Sequence, residues 1–389
     1  MEAKETLPAL VPAPPDWRIP WEALEETRLS PFFADMAKTP QDPLYHGEGD
    51  VWAHTRLVCE ALAAIEGFRG LEEGKRQAVF LAALLHDVGK IRCTKRIDGR
   101  WTSPRHAAAG AGMAREALWL DFDWCGQPDW QRLRETVCGL IRYHGLPVHA
   151  ALEAEGERRL LRAASNGALL PDFSVELLCL LAEADAKGKR CGDQEELLEA
   201  VALCRALAEE LGCLERPRVF PSAHTAYAYF SGQGALPAYE RFDDTWGEIL
   251  LLSGLPGTGK DTWIAAHCPE LPVVSLDGIR REKGISPTGP QGQVAEEARA
   301  RARALLRQRQ PFVWNATNVT PDLRQRIVSL CAGYHARVRL VYLETGWEEE
   351  LRRNRGREAA VPEAAIGRML GRLIPPEAFE AHRVEWQCV

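Results

Sequence analysis

The chain has 389 residues, of which 46% are hydrophobic and 26% are charged, and its formal net charge is −7. This length suits two or three domains, and this composition excludes a disordered or fibrous chain. No apolar run reaches the roughly 18–20 residues of a membrane span, and the first residues lack the apolar core of a secretion signal. The 11 scattered cysteines include no Cys-x-x-Cys pair, which is typical of free thiols, so we expect a cytoplasmic protein without membrane association.

Charge is distributed unevenly along the chain. Residues 271–389 contain 19 Lys and Arg against 14 Asp and Glu, whereas residues 1–270 contain 29 against 41. A mildly basic, arginine-rich C-terminal part suits an anionic substrate. It is far less basic than proteins that bind long duplexes mainly through charge, so any contact with a nucleic acid is expected to be short and near an end of the strand.

The N-terminal half has a helical pattern. Residues 1–45 contain several prolines and little periodicity, which predicts a partly irregular lead-in. Within residues 46–215, apolar residues recur at intervals of three and four and no strand pattern interrupts them, which predicts an all-α domain. The clearest predicted helices cover residues 51–65, 74–86, 105–119, 130–144 and 175–186.

Histidine and aspartate residues recur on separate helices of this domain. The doublet His86-Asp87 follows the apolar run 81–85, where burying two polar groups costs several kcal/mol unless they are paired or bind metal. The other candidate ligands are His54, His106, His144 and Asp185. Imidazole and carboxylate ligands suit Mn²⁺, Ni²⁺, Co²⁺ or Zn²⁺, and a mixed set can hold one or two such ions. A lone histidine is more often an ordinary core or surface residue, so the prediction depends on the whole set.

These residues resemble the HD phosphohydrolase superfamily. Residues 86–117 are similar to the HD domain attached to bacterial tRNA nucleotidyltransferases, which acts on 2′,3′-cyclic and 2′-phosphates. The resemblance implies a core metal site of four ligands, His54, His86, Asp87 and Asp185. It also implies a second metal site built with His106 and His144, an activated water as nucleophile, and Lys90 as a phosphate ligand. The remaining histidines are assigned no role: His46, His149, His224, His267, His335 and His382.

The pattern changes near Glu248. Residues 216–247 contain several Pro, Gly and aromatic residues and are predicted to form a connector, which can pack on the next domain. Short apolar runs at residues 249–252, 273–276, 312–314 and 338–342 then alternate with helical segments. This alternation predicts an α/β domain with a parallel sheet over residues 248–389.

A glycine-rich loop follows the first apolar run and precedes a helix. Its candidate nucleotide-binding residues are Gly254, Pro256, Gly257, Thr258, Gly259, Lys260, Asp261 and Thr262. The glycines let backbone N–H groups face phosphate oxygens, and Lys260 can reach the β- and γ-phosphates of ATP or another NTP with Mg²⁺. The loop resembles that of adenylate-kinase-like kinases, with Asp261 in place of the usual Ser or Thr. The hydroxyl of Thr262 is therefore predicted to face the magnesium ion, with Asp261 as its partner. The alternative is that the loop is a glycine-rich turn that binds no ligand.

Asp277 and Arg280 follow the second apolar run, where α/β sheets place their ligands. Asp277 can accept the proton of an attacking hydroxyl, or it can merely cap the next helix. Four arginines within residues 352–357 lie where P-loop kinases carry a lid; the alternative is a solvated helix end. Together these residues resemble the 5′-hydroxyl polynucleotide kinases. The resemblance implies that Asp277 is the general base, that Arg280 binds an acceptor phosphate, and that Arg353 and Arg357 clamp the donor phosphates.

The order of the two halves resembles the bacterial HD-Pnk end-healing enzymes, in which an HD phosphoesterase is fused to a polynucleotide kinase. The resemblance implies RNA or DNA ends with a 5′-hydroxyl and a 2′,3′-cyclic phosphate as substrates, and a ligase acting downstream. Two other hypotheses stay open. One is a small-molecule or nucleotide kinase fused to a nucleotide phosphohydrolase, and the other is a nucleotide-sensing regulator. The sequence leaves open whether the chain forms a homodimer.

Overall fold

The computed structural model describes residues 3–286, 289–357 and 360–389, and within it the chain divides into two compact units, Met1–Arg218 and Val219–Val389. The first unit is helical, and the second is an α/β unit with a parallel sheet. None of the helices in the described ranges is both long and apolar enough to cross a membrane.

The predicted helices of the first unit are present, with ends shifted by a few residues. Side-chain caps define two of their starts, because Asp50 accepts a hydrogen bond from the Ala53 amide and Ser174 accepts one from the Leu177 amide. The helices are α1 (Ala3–Ala9), α2 (Trp21–Glu25), α3 (Ser30–Met36), α4 (Val51–Ala64), α5 (Glu66–Arg69), α6 (Glu73–Leu85), α7 (Lys90–Cys93), α8 (His106–Leu120), α9 (Pro128–Tyr143), α10 (Leu146–His149), α11 (Gly156–Ser165), α12 (Val175–Gly188) and α13 (Gln194–Glu210). A 3₁₀ helix covers Asn166–Ala168.

Two parts of this unit differ from the sequence prediction. The predicted lead-in forms helices α1–α3, and its Leu24 and Phe33 are buried, with Phe33 stacked on Trp52 of α4 at 4.4 Å between ring centroids. A hairpin of β1 (Lys95–Ile97) and β2 (Arg100–Thr102) interrupts the otherwise helical unit. Its turn, Asp98-Gly99, has positive φ at both residues, as a two-residue type I′ turn requires.

In the second unit, five parallel strands of the described residues form one sheet in the order β4-β5-β3-β6-β7. The strands are β3 (Glu248–Ser253), β4 (Val273–Ser275), β5 (Val313–Asn315), β6 (Arg337–Glu344) and β7 (Arg383–Cys388). The helices are α14 (Ala223–Phe230), α15 (Lys260–His267), α16 (Leu276–Lys283), α17 (Gly292–Arg307), α18 (Pro321–Ala332), α19 (Trp347–Arg355) and α20 (Glu363–Leu370). The sequence pattern predicted β3–β6 and missed β7.

The central strand β3 is buried on both faces, as its continuous apolar run predicts. Ile249 and Leu251 contact one core cluster, and Leu250 and Leu252 contact the cluster on the opposite face. Because β3, β4 and β5 are parallel, their C-terminal ends meet at one edge of the sheet. The glycine-rich loop, Asp277 and Asn315 all lie at this edge.

The segment predicted to be a connector packs on the second unit. Tyr227 of α14 belongs to a core cluster of that unit, and the Trp246 indole donates a hydrogen bond to the Tyr334 carbonyl at 2.7 Å. Asp243 pairs with Arg337 of β6. Residues 219–247 are therefore a structural part of the α/β unit.

Candidate metal centre and phosphate-binding site

Six predicted ligands of the helical unit converge in its interior. His54 lies on α4, His86-Asp87 directly follows α6, His106 begins α8, His144 directly follows α9, and Asp185 lies on α12. All of them are buried except His106, which is partly exposed. A close approach of the chain helps to bring them together, because a Cβ on Gly89 would lie 2.0 Å from the His106 carbonyl oxygen. Only glycine fits at that position.

Three of the imidazoles share one orientation. In each, Nδ1 lies close to the carbonyl oxygen three residues earlier: His86 to Ala83 at 2.8 Å, His106 to Ser103 at 2.9 Å and His144 to Ile141 at 2.7 Å. A carbonyl oxygen only accepts hydrogen bonds, so Nδ1 carries the proton and, in the neutral ring, Nε2 presents a lone pair. The local backbone therefore fixes the tautomer that binds metal through Nε2.

The inward-facing Nε2 atoms fit a bound cation. Nε2 of His106 and Nε2 of His144 are 3.3 Å apart, so two lone pairs face each other. Nε2 of His86 is buried and has no hydrogen-bond partner among the described residues. Both arrangements are unfavourable for neutral rings, and a divalent cation held by these nitrogens would relieve them.

Asp87 belongs to two groups of candidate ligands. Its Oδ2 is 3.3 Å from Nε2 of His86 and 3.8 Å from Nε2 of His54, while its Oδ1 is 3.3 Å from Nε2 of His106. The two groups, His54-His86-Asp87 and Asp87-His106-His144, each have geometry that could hold a metal ion. Asp185 extends the first group, since its Oδ1 is 3.0 Å from Nε2 of His54. A shared carboxylate of this kind suits a pair of metal ions.

The charges of this centre favour metal binding at neutral pH. Burial alone would raise the pKa of Asp87, but the Lys90 ammonium beside it holds this pKa well below its ordinary value. Burial opposes ionisation of Asp185 too, and Lys189 and His54 lower its pKa well below the ordinary value. Burial lowers the pKa of His144 to about 3. Ionised carboxylates and a neutral His144 are states that bind metal. His54 differs, because Asp185 and Glu48 raise its pKa against the effect of burial, so a metal ion at this ring would displace a proton.

Two residues outside the predicted set lie behind His54. Oε1 of Glu48 is 2.8 Å from Nδ1 of His54 and 2.8 Å from Nδ1 of His46. The other oxygen of Glu48, Oε2, accepts a hydrogen bond from the Arg190 amide at 2.9 Å. A carboxylate behind a metal-facing imidazole orients the ring. His46, to which the sequence analysis assigned no role, thus lies at this centre.

Lys90, predicted to hold a phosphate, is itself mostly buried. Its ammonium donates a hydrogen bond to Gln41 Oε1 at 2.7 Å and lies 2.7 Å from Asp87 Oδ2. The structure therefore places Lys90 beside the shared carboxylate. A phosphate bound at the centre would compete with Asp87 for this ammonium.

The glycine-rich loop of the second unit has the backbone of a phosphate cradle. Gly254, Gly257 and Gly259 have φ values of 148°, 95° and 80°, a region that favours glycine. A Cβ on Gly254 would lie 2.5 Å from the Leu343 carbonyl oxygen, and one on Gly257 would lie 2.6 Å from the Glu350 carbonyl oxygen. The loop is therefore held tightly between β3, β6 and α19.

Lys260 folds back over this loop. Its ammonium donates hydrogen bonds to the carbonyl oxygens of Gly254 at 3.0 Å and Leu255 at 2.7 Å. Burial, reinforced by the nearby Arg357 guanidinium, lowers the pKa of Lys260 to about 8. Phosphate oxygens are stronger acceptors than carbonyl oxygens, so a bound nucleotide would recruit this ammonium.

The two side chains that follow Lys260, those of Asp261 and Thr262, lie in different surroundings. Asp261 Oδ1 accepts a hydrogen bond from Asn315 Nδ2 at 2.6 Å, whereas Thr262 is exposed one residue further along α15. The structure thus brings Asp261, rather than the predicted hydroxyl, together with a polar side chain at the sheet edge. The sequence analysis did not assign Asn315, the last residue of β5, to the site.

Asp277 is not the cap of α16. Ser275 takes that position, because its hydroxyl accepts a hydrogen bond from the Gly278 amide at 3.1 Å. Asp277 instead pairs with Arg280, and its Oδ2 accepts a hydrogen bond from Arg357 at 3.2 Å. The predicted base, acceptor arginine and lid arginine therefore meet at one point.

The arginines of α19 and of the segment directly after it separate into two sets. Arg353 Nη1 would lie 3.3 Å from a Cβ on Gly259, so this guanidinium covers the phosphate loop, as Arg357 covers Asp277. Arg352 pairs with Glu349 on its own helix, and Arg355 pairs with a glutamate of α20. Arg353 and Arg357 are the two that face the candidate site.

Glu350 was not identified in the sequence. It is fully buried under Gly257, and both carboxylate oxygens have no hydrogen-bond partner among the described residues. Burial raises its pKa to about 8; Lys260 opposes this rise and Glu344 adds to it. A third consecutive glutamate on a helix has no sequence signal that separates it from its exposed neighbours.

Comparison with known families places each site in a recognised domain. Residues 51–186 match the family described as an HD domain, and residues 249–376 match a family described as an AAA domain. The first match contains the six predicted metal ligands, and the second contains the phosphate loop, Asp277 and the lid arginines. The chain therefore combines a helical HD domain with a P-loop kinase-like domain, in that order. This combination supports an enzyme with phosphohydrolase and nucleotide kinase activities, which use a divalent metal and an NTP with Mg²⁺.

Proposed function

We propose that this protein heals broken nucleic-acid ends. Its α/β unit transfers a phosphoryl group from an NTP to a 5′-hydroxyl end, and its helical unit hydrolyses 2′,3′-cyclic phosphate and 2′-phosphate ends. The main support for the proposal is that one chain contains two such sites. The first is a histidine cluster that shares the carboxylate of Asp87. The second is the carboxylate of Asp277, which pairs with two arginines beside the phosphate loop. The products of the two reactions are the ends that a nucleic-acid ligase joins.

The helical unit has the groups that phosphoester hydrolysis needs. Asp87 and the four histidines would hold one or two divalent ions such as Mn²⁺, Ni²⁺, Co²⁺ or Zn²⁺. A metal bound there would polarise a phosphate oxygen and lower the pKa of water toward neutrality. Lys90 would stabilise the negative charge that develops on the phosphate, since its ammonium already lies beside Asp87.

The α/β unit has the groups that phosphoryl transfer needs, which are mainly positive charges and one base. Lys260 and the loop amides would hold the donor phosphates, with Arg353 and Arg357 above them. Arg280 would hold a phosphate of the acceptor strand. Asp277, relieved of its arginine partners by these phosphates, would accept the proton of the attacking 5′-hydroxyl.

The test uses an RNA oligonucleotide with a 5′-hydroxyl and a 2′,3′-cyclic phosphate, incubated with labelled ATP, Mg²⁺ and Mn²⁺, followed by analysis of both ends. Wild type should label the 5′ end and open the cyclic phosphate. Asp277→Ala should lose only the first activity and Asp87→Ala only the second, because the two sets share no residue. Asp322→Ala and Asp129→Ala are controls, as both are exposed carboxylates in the first turn of a helix.

Loss of both activities in either variant, with the fold intact, would contradict independent sites. No change at either end by wild type, with ATP binding retained, would refute end healing. In that case a kinase and a phosphohydrolase acting on small molecules would become the better hypothesis. A parallel incubation with the DNA equivalent measures which nucleic acid is preferred.

A further inference from the structure

The β1–β2 hairpin has no apolar packing of its own. All residues from Lys95 to Thr102 are exposed, including Ile97 and Trp101 with exposed fractions of 44% and 36%. A two-stranded hairpin is only marginally stable in water, and no residue of this one is buried. Its exposed tryptophan and isoleucine are available to a ligand.

The hairpin region has the opposite charge to the unit that carries it. Residues 90–105 contain six Lys and Arg and one Asp, whereas residues 1–218 contain 27 Lys and Arg and 35 Asp and Glu. The exposed side chains of Arg92, Lys95, Arg96 and Arg105 form no ion pair within the described residues. A local cluster of unneutralised cations in an acidic domain is suited to an anionic polymer.

Aromatic rings alternate with these cations. Arg96 and Trp101 are directly opposite each other in the hairpin, with the guanidinium 5.9 Å from the ring centroid. On the other face, Arg100 lies 5.3 Å from the centroid of Tyr45, a ring that is 46% exposed. Rings flanked by cations bind single strands by stacking bases and neutralising phosphates. This combination of features distinguishes the hairpin from a simple basic patch.

The hairpin is attached directly to the metal centre. Thr94 and Ser103 close its base through a hydrogen bond of 2.8 Å between their hydroxyls, and the Ser103 carbonyl holds Nδ1 of His106. Lys90, beside Asp87, precedes the hairpin by one turn of helix. A strand that lies along the hairpin therefore has its end close to the candidate catalytic groups.

We propose that the β1–β2 hairpin holds the single-stranded polynucleotide whose phosphate end is hydrolysed at the metal centre. Arg96, on the face of Trp101, and Lys95, on the opposite face of the same strand, bind two backbone phosphates as the polynucleotide crosses the hairpin, and Trp101 stacks on a base near the end. This inference rests on the proposed phosphoesterase activity and adds the surface that makes it prefer a polymer over a mononucleotide.

The test compares two substrates of the same chemistry in the full-length protein: an RNA 12-mer that ends in a 2′,3′-cyclic phosphate, and a 2′,3′-cyclic nucleoside monophosphate. For the 12-mer, Lys95→Ala/Arg96→Ala should reduce the slope of log kcat/KM against log salt concentration by about 1.4, since each phosphate contact to a single strand contributes about 0.7. Trp101→Ala should lower kcat/KM for the 12-mer at least about fivefold and leave the salt slope unchanged. The mononucleotide should be hydrolysed at the wild-type rate by both variants.

Arg132→Ala is the matched control, because Arg132 is an exposed arginine on α9 of the same unit. Equal losses on both substrates would indicate damage to the metal centre and overturn the proposal. An unchanged rate on the 12-mer in both variants would overturn it too. A lower salt slope in Lys95→Ala/Arg96→Ala together with no effect of Trp101→Ala would also overturn it, because the hairpin would then be a charged surface on which no base stacks. Failure of the wild type to open either cyclic phosphate would refute the proposed function, not the hairpin alone.

Discussion

Replacing Glu350 by glutamine should stabilise the α/β unit, and the gain should grow with pH. Glu350 is fully buried and unpartnered within the described residues, and burial raises its pKa to about 8, against an ordinary value of 4.5. The folded protein therefore keeps a proton on this carboxyl between pH 4.5 and 8 that the unfolded chain releases. The protonated carboxyl therefore contributes its full share to the free energy of unfolding below pH 4.5, and this contribution is lost as the pH rises toward 8.

The size of the effect follows from the two pKa values. A difference of about 3.5 between them corresponds to about 5 kcal/mol of unfolding free energy when both states are fully ionised. At pH 5.5 only about 1.4 kcal/mol of this loss has occurred, and at pH 9 nearly all of it has. The stability of Glu350→Gln relative to wild type should therefore increase by about 3 kcal/mol from pH 5.5 to pH 9.

Urea unfolding of the full chain at both pH values, with hydrogen exchange of β6 and α19 to follow the second unit, measures this change. Glu348→Gln is the control, since Glu348 is exposed on the same helix; it should shift stability by roughly 0.5 kcal/mol or less at either pH. A pH-independent difference between Glu350→Gln and wild type would refute the reasoning, because it would mean that Glu350 is ionised in the folded protein throughout.

Three further predictions concern other buried groups. Because burial and Arg357 lower the pKa of Lys260 to about 8, nucleotide affinity, measured by calorimetry, should be constant below about pH 7 and fall with increasing pH above about 8; Lys260→Ala should abolish phosphoryl transfer. Glu48→Gln should weaken Mn²⁺ or Zn²⁺ binding about 10–100-fold in competition with a chelating dye, because Glu48 supports His54. Glu380→Ala should destabilise the second unit by about 3–5 kcal/mol in urea unfolding, since it leaves the fully buried Arg324 without its carboxylate partner.

Patterns that are local in sequence predicted much of the fold. Apolar spacing identified α4, α6, α8, α9 and α12, and the strand–loop–helix context identified the phosphate loop around Lys260. Both depend on residues within one or two turns of each other, so one sequence suffices to find them. The dipeptide Asp98-Gly99 is typical of a hairpin turn, but the strands beside it are too short and polar to show a strand pattern in the sequence.

Contacts between distant segments could not be predicted in this way. Glu48 accepts a hydrogen bond from the amide of Arg190, far along the chain, and this contact holds its carboxylate beside His54. Glu350 becomes buried because α19 packs on Gly257, and the three glutamates 348–350 look alike in sequence. The partner of Asp261, Asn315, is 54 residues away and is brought near only by the pairing of β3 with β5.

The shared position of Asp87 has a thermodynamic consequence for metal loading. A carboxylate that contributes one oxygen to each of two ligand groups links their occupancies, so filling one group changes the affinity of the other. Two ions bound at these groups would therefore not follow independent binding constants, and their coupling free energy would be the same whichever ion entered first. The order of loading and the stoichiometry at a given metal concentration are thus properties of the pair of subsites, set by the single side chain that joins them.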